Sequence, residues 1–162
     1  MTFRDATPAD LPLIVDIYNS TVSSRLVTAD TTPVSVNDKL SWFNAHNPTT
    51  RPLWMVHEQA DVIGWVSFND FYGRPAYSGT AELSIYLHPH WRQKGYGKKI
   101  LEHCLNEAPS LDLHTILGFI FGHNRPSIDL FLQAGFTEWG HLPGIAIMDG
   151  SHYSLLIFGK KI

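Results

Sequence analysis

The spacing of apolar and polar positions predicts strands and helices in the order β-α-α-β-β-β-α-β-α-β-β. Runs of strand character, alternating or apolar throughout, lie at 3–6, 53–58, 62–71, 80–88, 115–121, 136–142 and 153–158. Capping sequences at Thr7, Ser35 and Asn124 mark three helix starts, and a fourth helix follows from Lys98 between two strands. That strand-helix-strand unit implies a parallel crossover, so we expect an α/β fold, a mixed sheet with helices on both faces.

Length and composition are those of one ordinary domain, which we expect to span residues 1–162. The net charge of -3 gives no broad basic field, so no nucleic-acid partner is expected. No apolar run approaches the ~18 residues of a membrane-spanning helix, so no membrane partner is expected. The single Cys104 excludes an internal disulfide, and the N-terminal sequence lacks the apolar core of a signal peptide, so we expect a cytoplasmic protein.

The strand at 80–88 has one apolar and one polar face. Ala81, Leu83, Ile85 and Leu87 alternate with more polar residues, among them Glu82. A polar strand face beside a ligand site lines a cleft, which makes Glu82 a candidate general base. Position alone also allows a surface carboxylate, solvated or paired with Arg74.

A glycine-containing turn follows this strand and opens the helix from Lys98. Gly95 and Gly97 allow positive φ and close approach of the backbone to a ligand, and the helix start offers unpaired N–H groups. Basic residues surround the turn at Arg92, Lys94, Lys98 and Lys99. The segment therefore predicts an anion site suited to a phosphate-bearing cofactor.

Two common nucleotide motifs do not fit this turn. A dinucleotide fingerprint needs a third glycine at position 100, which is Ile100. A Walker loop needs glycine at position 92 and Ser or Thr at position 99, which are Arg92 and Lys99. What remains is the pattern R-x-x-G-x-G after a strand.

A second segment with ligand-binding character begins at Asn124. The pattern N-x-x-S, with Ser127, precedes a helix that ends in Gly135-Phe136. Together the two segments resemble the coenzyme A sites of the GNAT acetyltransferase superfamily. The resemblance implies a GNAT-like fold with two splayed parallel strands and acetyl-CoA as co-substrate. It also favours Glu82 as the base that takes the proton of an amine.

The resemblance assigns cofactor contacts residue by residue. It implies that the pantetheine arm lies along Ile85, Tyr86 and Leu87. It implies that the pyrophosphate is bound by Arg92, Gln93, Lys94, Gly95, Tyr96 and Gly97. Asn124 and Ser127 would contact the cofactor further along. The nine His residues are scattered, so no metal is expected.

Within the superfamily, the chain is most similar to the phosphinothricin acetyltransferase group. Arg74-x-Ala76-Tyr77, the segment 82–89 and the two cofactor patterns keep the order and spacing of that group. The resemblance implies a small-molecule amine substrate such as phosphinothricin, methionine sulfone or methionine sulfoximine. Arg74 and Tyr77 are then candidate substrate contacts, with Arg74 as the partner of a carboxylate or phosphinate.

The chain departs from the family pattern at two places. The segment 148–154 replaces the G-x-W-x-D region of the group. Phe131 stands where many GNAT enzymes have the Tyr that protonates the leaving thiolate, and His123, His152 and Tyr153 are candidate substitutes. These departures leave open a non-catalytic acyl-CoA sensor. Acetylation of a polyamine, an aminoglycoside or a protein N-terminus also stays open. Relatives are often dimers, so a homodimer is an expectation.

Overall fold

The computed structural model describes residues 1–162 and has the predicted order of elements. The strands are β1 Thr2–Asp5, β2 Leu53–Glu58, β3 Asp61–Asp70, β4 Thr80–Leu87, β5 Thr115–Phe121, β6 Thr137–Met148 and β7 Ser151–Lys161. The helices are α1 Leu11–Val22, α2 Val36–Asn44, α3 Tyr96–Glu107 and α4 Arg125–Gln133. No helix is both long and apolar enough to cross a membrane.

All strands form one 7-stranded sheet in the order β1-β2-β3-β4-β5-β7-β6. Every neighbouring pair is antiparallel except β4 and β5, which are parallel and joined by α3. The prediction of a mixed α/β sheet with a parallel crossover is therefore confirmed.

The parallel pair is short compared with its two strands. β4 and β5 are paired only from Thr80 opposite Thr115 to Glu82 opposite Leu117. Beyond that point β4 stays paired with β3 as far as Leu87, and β5 stays paired with β7 as far as Phe121. The two strands thus part in the middle of the sheet, as the resemblance implied.

The helices cover both faces of the sheet with separate apolar cores. The larger core joins α3 and α4 to one face and includes Ile100, Leu101, Cys104, Ile128 and Phe131. The smaller core joins α1 to the other face and includes Leu11, Ile14, Tyr18, Met55 and Trp65. Cys104 is fully buried, which raises the pKa of its thiol and removes it from nucleophilic chemistry.

Some element boundaries differ from the sequence expectation for local reasons. α2 ends at Asn44, before the expected stop near residue 47, because the side chain of Asn47 accepts bonds from the backbone N–H groups of Thr49 and Thr50 and forms a tight turn. β6 and β7 run beyond the predicted 136–142 and 153–158, because they pair with each other up to the turn at Asp149-Gly150.

Candidate active site

The glycine turn has the backbone geometry of an anion site. Gly95 has φ +80° and stands immediately before α3, and a side chain built there would meet no atom within 4 Å. Gln93 also has a positive φ, of 57°. The turn is therefore open, and the first N–H groups of α3 have no partner within the helix. Gln93, Lys94, Lys98 and Lys99 are all exposed beside it.

The two segments that the resemblance assigns to the cofactor lie side by side. A side chain at Gly97 would lie 3.4 Å from the Leu130 Cδ2 atom of α4. α4 begins after Asn124, which is buried and whose side-chain oxygen accepts a bond from the Ser127 N–H at 3.2 Å. Asn124 therefore has a structural role as the helix cap, and Ser127 is half-buried in the first turn.

Arg92 directs its guanidinium into the protein. Its Nε donates to the Leu87 carbonyl at 2.9 Å, and its Nη2 donates to Ser20 Oγ of α1 at 2.5 Å. The side chain thus ties the end of β4 to α1. A contact between Arg92 and a pyrophosphate stays a prediction. Because the guanidinium points inward, such a contact would have to come from the backbone of Arg92.

The end of β4 supplies backbone groups that no strand satisfies. Since the pairing with β5 ends at Glu82, the groups of residues 83–87 that point away from β3 have no strand partner, although Arg92 bonds the Leu87 carbonyl. Ile85 and Leu87 pack on the larger core. Tyr86 instead stacks on Trp65 with ring centroids 4.4 Å apart, on the α1 face. Only its backbone lies along the opening between β4 and β5.

Glu82 occupies the last paired position before the strands part. Its side chain is half-buried and has no hydrogen bond or ion pair, with Arg74 or any other cation. Burial without a compensating partner raises the pKa of the Glu82 carboxyl. A raised pKa brings the carboxyl closer to neutrality, where it can exchange a proton during turnover.

Asn69 is a neighbour of Glu82 that the sequence did not point out. It is directly opposite Glu82 in the β3–β4 register. Its side chain accepts a bond from Trp42 Nε1 of α2 at 3.0 Å and donates to Ser67 Oγ at 3.1 Å. This network joins α2 to the strand beside the candidate base. No local motif marks it, because the register of β3 against β4 is not encoded in either strand alone.

The loop between β3 and β4 carries Arg74 and Tyr77, and both are exposed. The Tyr77 ring lies against Phe71, with centroids 5.4 Å apart. Arg74 is the one arginine whose guanidinium has no partner in the protein. The others bond a carboxylate or, for Arg92, a carbonyl and a hydroxyl. Its charge is therefore available to an anionic group of a ligand.

Of the candidate substitutes for the leaving-group acid, the two histidines each have a ring nitrogen bonded to a backbone carbonyl, whereas the Tyr153 hydroxyl has no hydrogen bond. His123 Nε2 lies 2.7 Å from the Arg25 carbonyl, and its ring is 4.3 Å from that of Tyr153. His152 Nδ1 lies 3.1 Å from the Gly144 carbonyl. Phe131 is buried, and its ring packs directly on the backbone of Gly118, where a side chain would lie 2.3 Å from it.

Two further kinds of site are relevant to the rest of the molecule, a metal centre and a cavity. No cluster of three His, Cys, Asp or Glu side chains could hold a metal ion. A hollow of about 560 Å³ beside β1, lined by residues such as Phe3, Trp54 and His103, lies apart from the glycine turn and Glu82. The prediction that no metal takes part stays a prediction.

The parted strands, the open glycine turn and the adjacent α4 cap define an α/β domain that fits a phosphate-bearing cofactor with a long extended arm. A match to the family model for the acetyltransferase (GNAT) domain covers residues 1–137. The chain therefore belongs to the GNAT acetyltransferases. It is an acetyltransferase of this type.

Individual relatives agree with this assignment. YwnH of Bacillus subtilis (strain 168), whose name gives phosphinothricin acetyltransferase as a provisional activity, is 50% identical over 100% of this chain and 99% of its own. The L-methionine sulfoximine/L-methionine sulfone acetyltransferase of Salmonella typhimurium is 31% identical over 93% of this chain and 88% of its own.

One solved structure also bears on the cofactor. The GNAT superfamily phosphinothricin acetyltransferase of Sinorhizobium meliloti, crystallised in complex with AcCoA, superposes with a TM-score of 0.90 at 29% identity. The match covers 99% of this chain and 88% of that one.

The unpaired Glu82 carboxylate should reduce stability at neutral pH. The folded state raises its pKa, so the native protein binds the proton more tightly and loses stability as pH rises through the folded pKa. We expect Glu82→Gln to raise the free energy of unfolding at pH 7 to 8. The gain should shrink towards zero below about pH 4, where the glutamate is neutral in both states.

Urea denaturation at several pH values measures this difference. Glu102→Gln on the exposed face of α3 is the matched control and should show no such pH-dependent gain. A Glu82→Gln protein less stable than the parent at pH 7 would contradict the burial argument.

Proposed function

We propose that this chain transfers the acetyl group of acetyl-CoA to the α-amino group of a small amino-acid-like substrate. Phosphinothricin, methionine sulfone and methionine sulfoximine define the substrate type. The observation that carries the proposal is the half-buried, unpartnered Glu82 at the point where β4 and β5 part. The activities named for the relatives support the substrate class.

The cofactor fits the residues around the opening. The backbone of the turn at 92–97 and the start of α3 would hold the pyrophosphate, and the unpaired edge of Ile85 to Leu87 would pair with the pantetheine arm. Bound there, acetyl-CoA supplies the activated acyl group as a thioester. A backbone N–H near Leu87 would donate to the thioester oxygen as negative charge develops on it.

Transfer then needs a neutral amine, because an ammonium group has no lone pair for attack. Glu82 would accept the proton of the substrate ammonium, directly or through water, and its raised pKa suits it to this role. The amine nitrogen would form its bond to the acyl carbon, the carbon–sulfur bond would break, and coenzyme A would leave with the electron pair. The second proton of the attacking nitrogen would pass to the departing thiolate or to solvent, which leaves the neutral amide. No covalent enzyme intermediate is required, since Cys104 is buried in the core.

Substrate selection would rest on the loop between β3 and β4. Arg74 has an uncompensated positive charge, and Tyr77 offers an exposed ring and hydroxyl on the same loop. A guanidinium binds a carboxylate or phosphinate through two parallel hydrogen bonds, which orients the ligand as well as holding it. The amino group of the same molecule would then point towards Glu82.

The first experiment is release of coenzyme A thiol from acetyl-CoA in the presence of a panel of amines. The panel holds phosphinothricin, methionine sulfone, methionine sulfoximine, ordinary L-amino acids, spermidine, an aminoglycoside and an N-terminal peptide. We expect saturable turnover on at least one of the three amino-acid analogues. Turnover confined to spermidine, the aminoglycoside or the peptide would contradict the proposed amino-acid-like substrate and identify the other class instead. Tight acetyl-CoA binding without turnover on any amine would favour a sensor.

Substitution of the base should change both rate and pH dependence. We expect Glu82→Gln to lower kcat by about 100-fold or more, the usual contribution of a positioned base. The rise of the rate with pH should flatten, while the Kd for acetyl-CoA measured by calorimetry should stay within about twofold, since a cofactor contact through Glu82 is not expected. Glu102→Gln should retain the parent profile. An unchanged pH profile in Glu82→Gln would remove Glu82 from the mechanism.

We also propose that the chain forms a homodimer through the β6 edge of the sheet. β6 is an edge strand with exposed apolar side chains at Trp139, Leu142, Ile145 and Ile147, the last 63% exposed. A second copy related by a two-fold axis would cover them on both partners at once. The cytoplasmic location and the lack of nucleic-acid and membrane partners stay predictions.

Light scattering coupled to gel filtration tests the dimer. We expect the mass of two chains for the parent protein and of one chain for Ile147→Lys, because a lysine ammonium would be buried at the interface. Leu132→Lys, at an exposed position of α4, is the control and should stay dimeric. A monomeric parent protein at micromolar concentration would contradict the proposal.

A further inference from the structure

One buried arginine lies outside the site described above. Arg51 precedes β2 and is only 7% exposed. Its Nε donates to Asp70 Oδ1 at 2.6 Å, and its Nη1 donates to the Thr50 carbonyl at 2.8 Å. Its Nη2 donates to the Ser78 carbonyl at 2.7 Å and approaches the Thr80 carbonyl at 3.4 Å. A buried guanidinium needs hydrogen-bond acceptors of this kind, but here their positions in the chain indicate a particular role.

Apart from the Thr50 carbonyl, the acceptors lie at both ends of one loop. Asp70 is the last residue of β3, Thr80 is the first residue of β4, and Ser78 lies within the loop that joins them. The guanidinium of Arg51 therefore closes the base of the loop that carries Arg74 and Tyr77. Away from this base, the loop aromatics Phe71, Tyr72 and Tyr77 touch one another.

Arg51 is itself held in place by a tight turn. Its carbonyl accepts a bond from the Asn47 N–H at 2.9 Å, and its own N–H donates to the Asn47 carbonyl at 3.3 Å. This turn follows α2, whose Trp42 is bonded to Asn69 beside Glu82. The position of the loop is thereby linked to the wall of the cleft that holds the candidate base.

Arg51 holds the loop through more than its ion pair with Asp70. The Asp70 side chain is 59% exposed, and an ion pair with so exposed a partner is screened by water. The same guanidinium, which is almost fully buried, also bonds the Ser78 carbonyl, so its hold on the loop does not depend on the ion pair alone. A lysine cannot reproduce the planar fork that reaches Asp70, Ser78 and Thr80 together.

We propose that Arg51 is a positioning residue for amine binding, because it fixes the loop 71–79 on which Arg74 and Tyr77 approach the substrate. The inference rests on the proposed function for the role of that loop. It predicts a selective effect: the loop and the KM of the amine depend on Arg51, whereas the cofactor site on α3 and α4 does not.

The test compares Arg51→Lys and Arg51→Met with the parent by hydrogen exchange and steady-state kinetics. We expect amide exchange to accelerate in residues 71–80 and to stay unchanged in α3 and α4. We expect the KM of the accepted amine to rise about tenfold, because a displaced loop no longer holds Arg74 and Tyr77 in position for the amine. The KM of acetyl-CoA should stay within about twofold of the parent, because the cofactor binds elsewhere. Arg51→Lys keeps the charge and guards against a Met variant that does not fold.

Two further variants sharpen the test. Asp70→Asn keeps an acceptor for Nε, so it should change loop exchange and amine KM less than either Arg51 variant. Arg4→Met removes an arginine that is paired with Asp10 on the edge strand β1 and makes no bond to the loop, and should change neither quantity.

The outcomes separate this proposal from the proposed function. Unchanged loop exchange in both Arg51 variants overturns it, and so does faster loop exchange with an unchanged amine KM. A parallel rise in the KM of acetyl-CoA also overturns it, since it indicates a general loss of structure. If the parent turns over no amine on the panel, the proposed function fails, and the positioning role fails with it even where loop exchange responds.

Discussion

The structure depends on one constraint, which is that β4 and β5 are paired over only the first part of their length. A parallel pair in the middle of a sheet is normally satisfied along both strands, because unpaired backbone groups inside a protein are costly. Here the pairing ends at Glu82 and Leu117, yet each strand remains fixed by its antiparallel neighbour on the other side. The opening therefore lies between two strands that are each held by an antiparallel neighbour, and its free backbone groups are available to an extended ligand.

Charges around the opening are arranged in two ways. Most arginines are committed to internal bonds, and Arg92 and Arg51 use theirs to fix the end of β4 and the base of the neighbouring loop. Glu82 and Arg74, in contrast, have no hydrogen-bond or ion-pair partner in the protein. An unpartnered, half-buried carboxylate reduces stability, so its presence at the point where the strands part indicates a functional role. A bound substrate would supply the partner that the protein itself does not provide for either group.

The sequence predicted what depends on neighbours in the chain and missed what depends on distant partners. Alternation, helix caps and the glycine turn are local signals, and they located every strand and helix as well as the open conformation at Gly95. The inward direction of the Arg92 side chain depends on Ser20, which is 72 positions away. The Asn69 network and the role of Arg51 likewise depend on the β3–β4 register and on the turn after α2. Those contacts form only in the folded sheet.

The packing of Phe131 bears on how coenzyme A leaves. Its ring fills the space over Gly118, a residue of β5 beyond the last paired position, so α4 presents no proton donor at that position. A thiol with a pKa near 8.5 costs only about 2 kcal/mol to ionise at pH 7, far less than an alcohol. Coenzyme A can therefore leave as the thiolate without a dedicated acid. The harder proton transfer is removal of a proton from the substrate ammonium, and the one unpartnered carboxylate beside the opening, Glu82, is placed for that step.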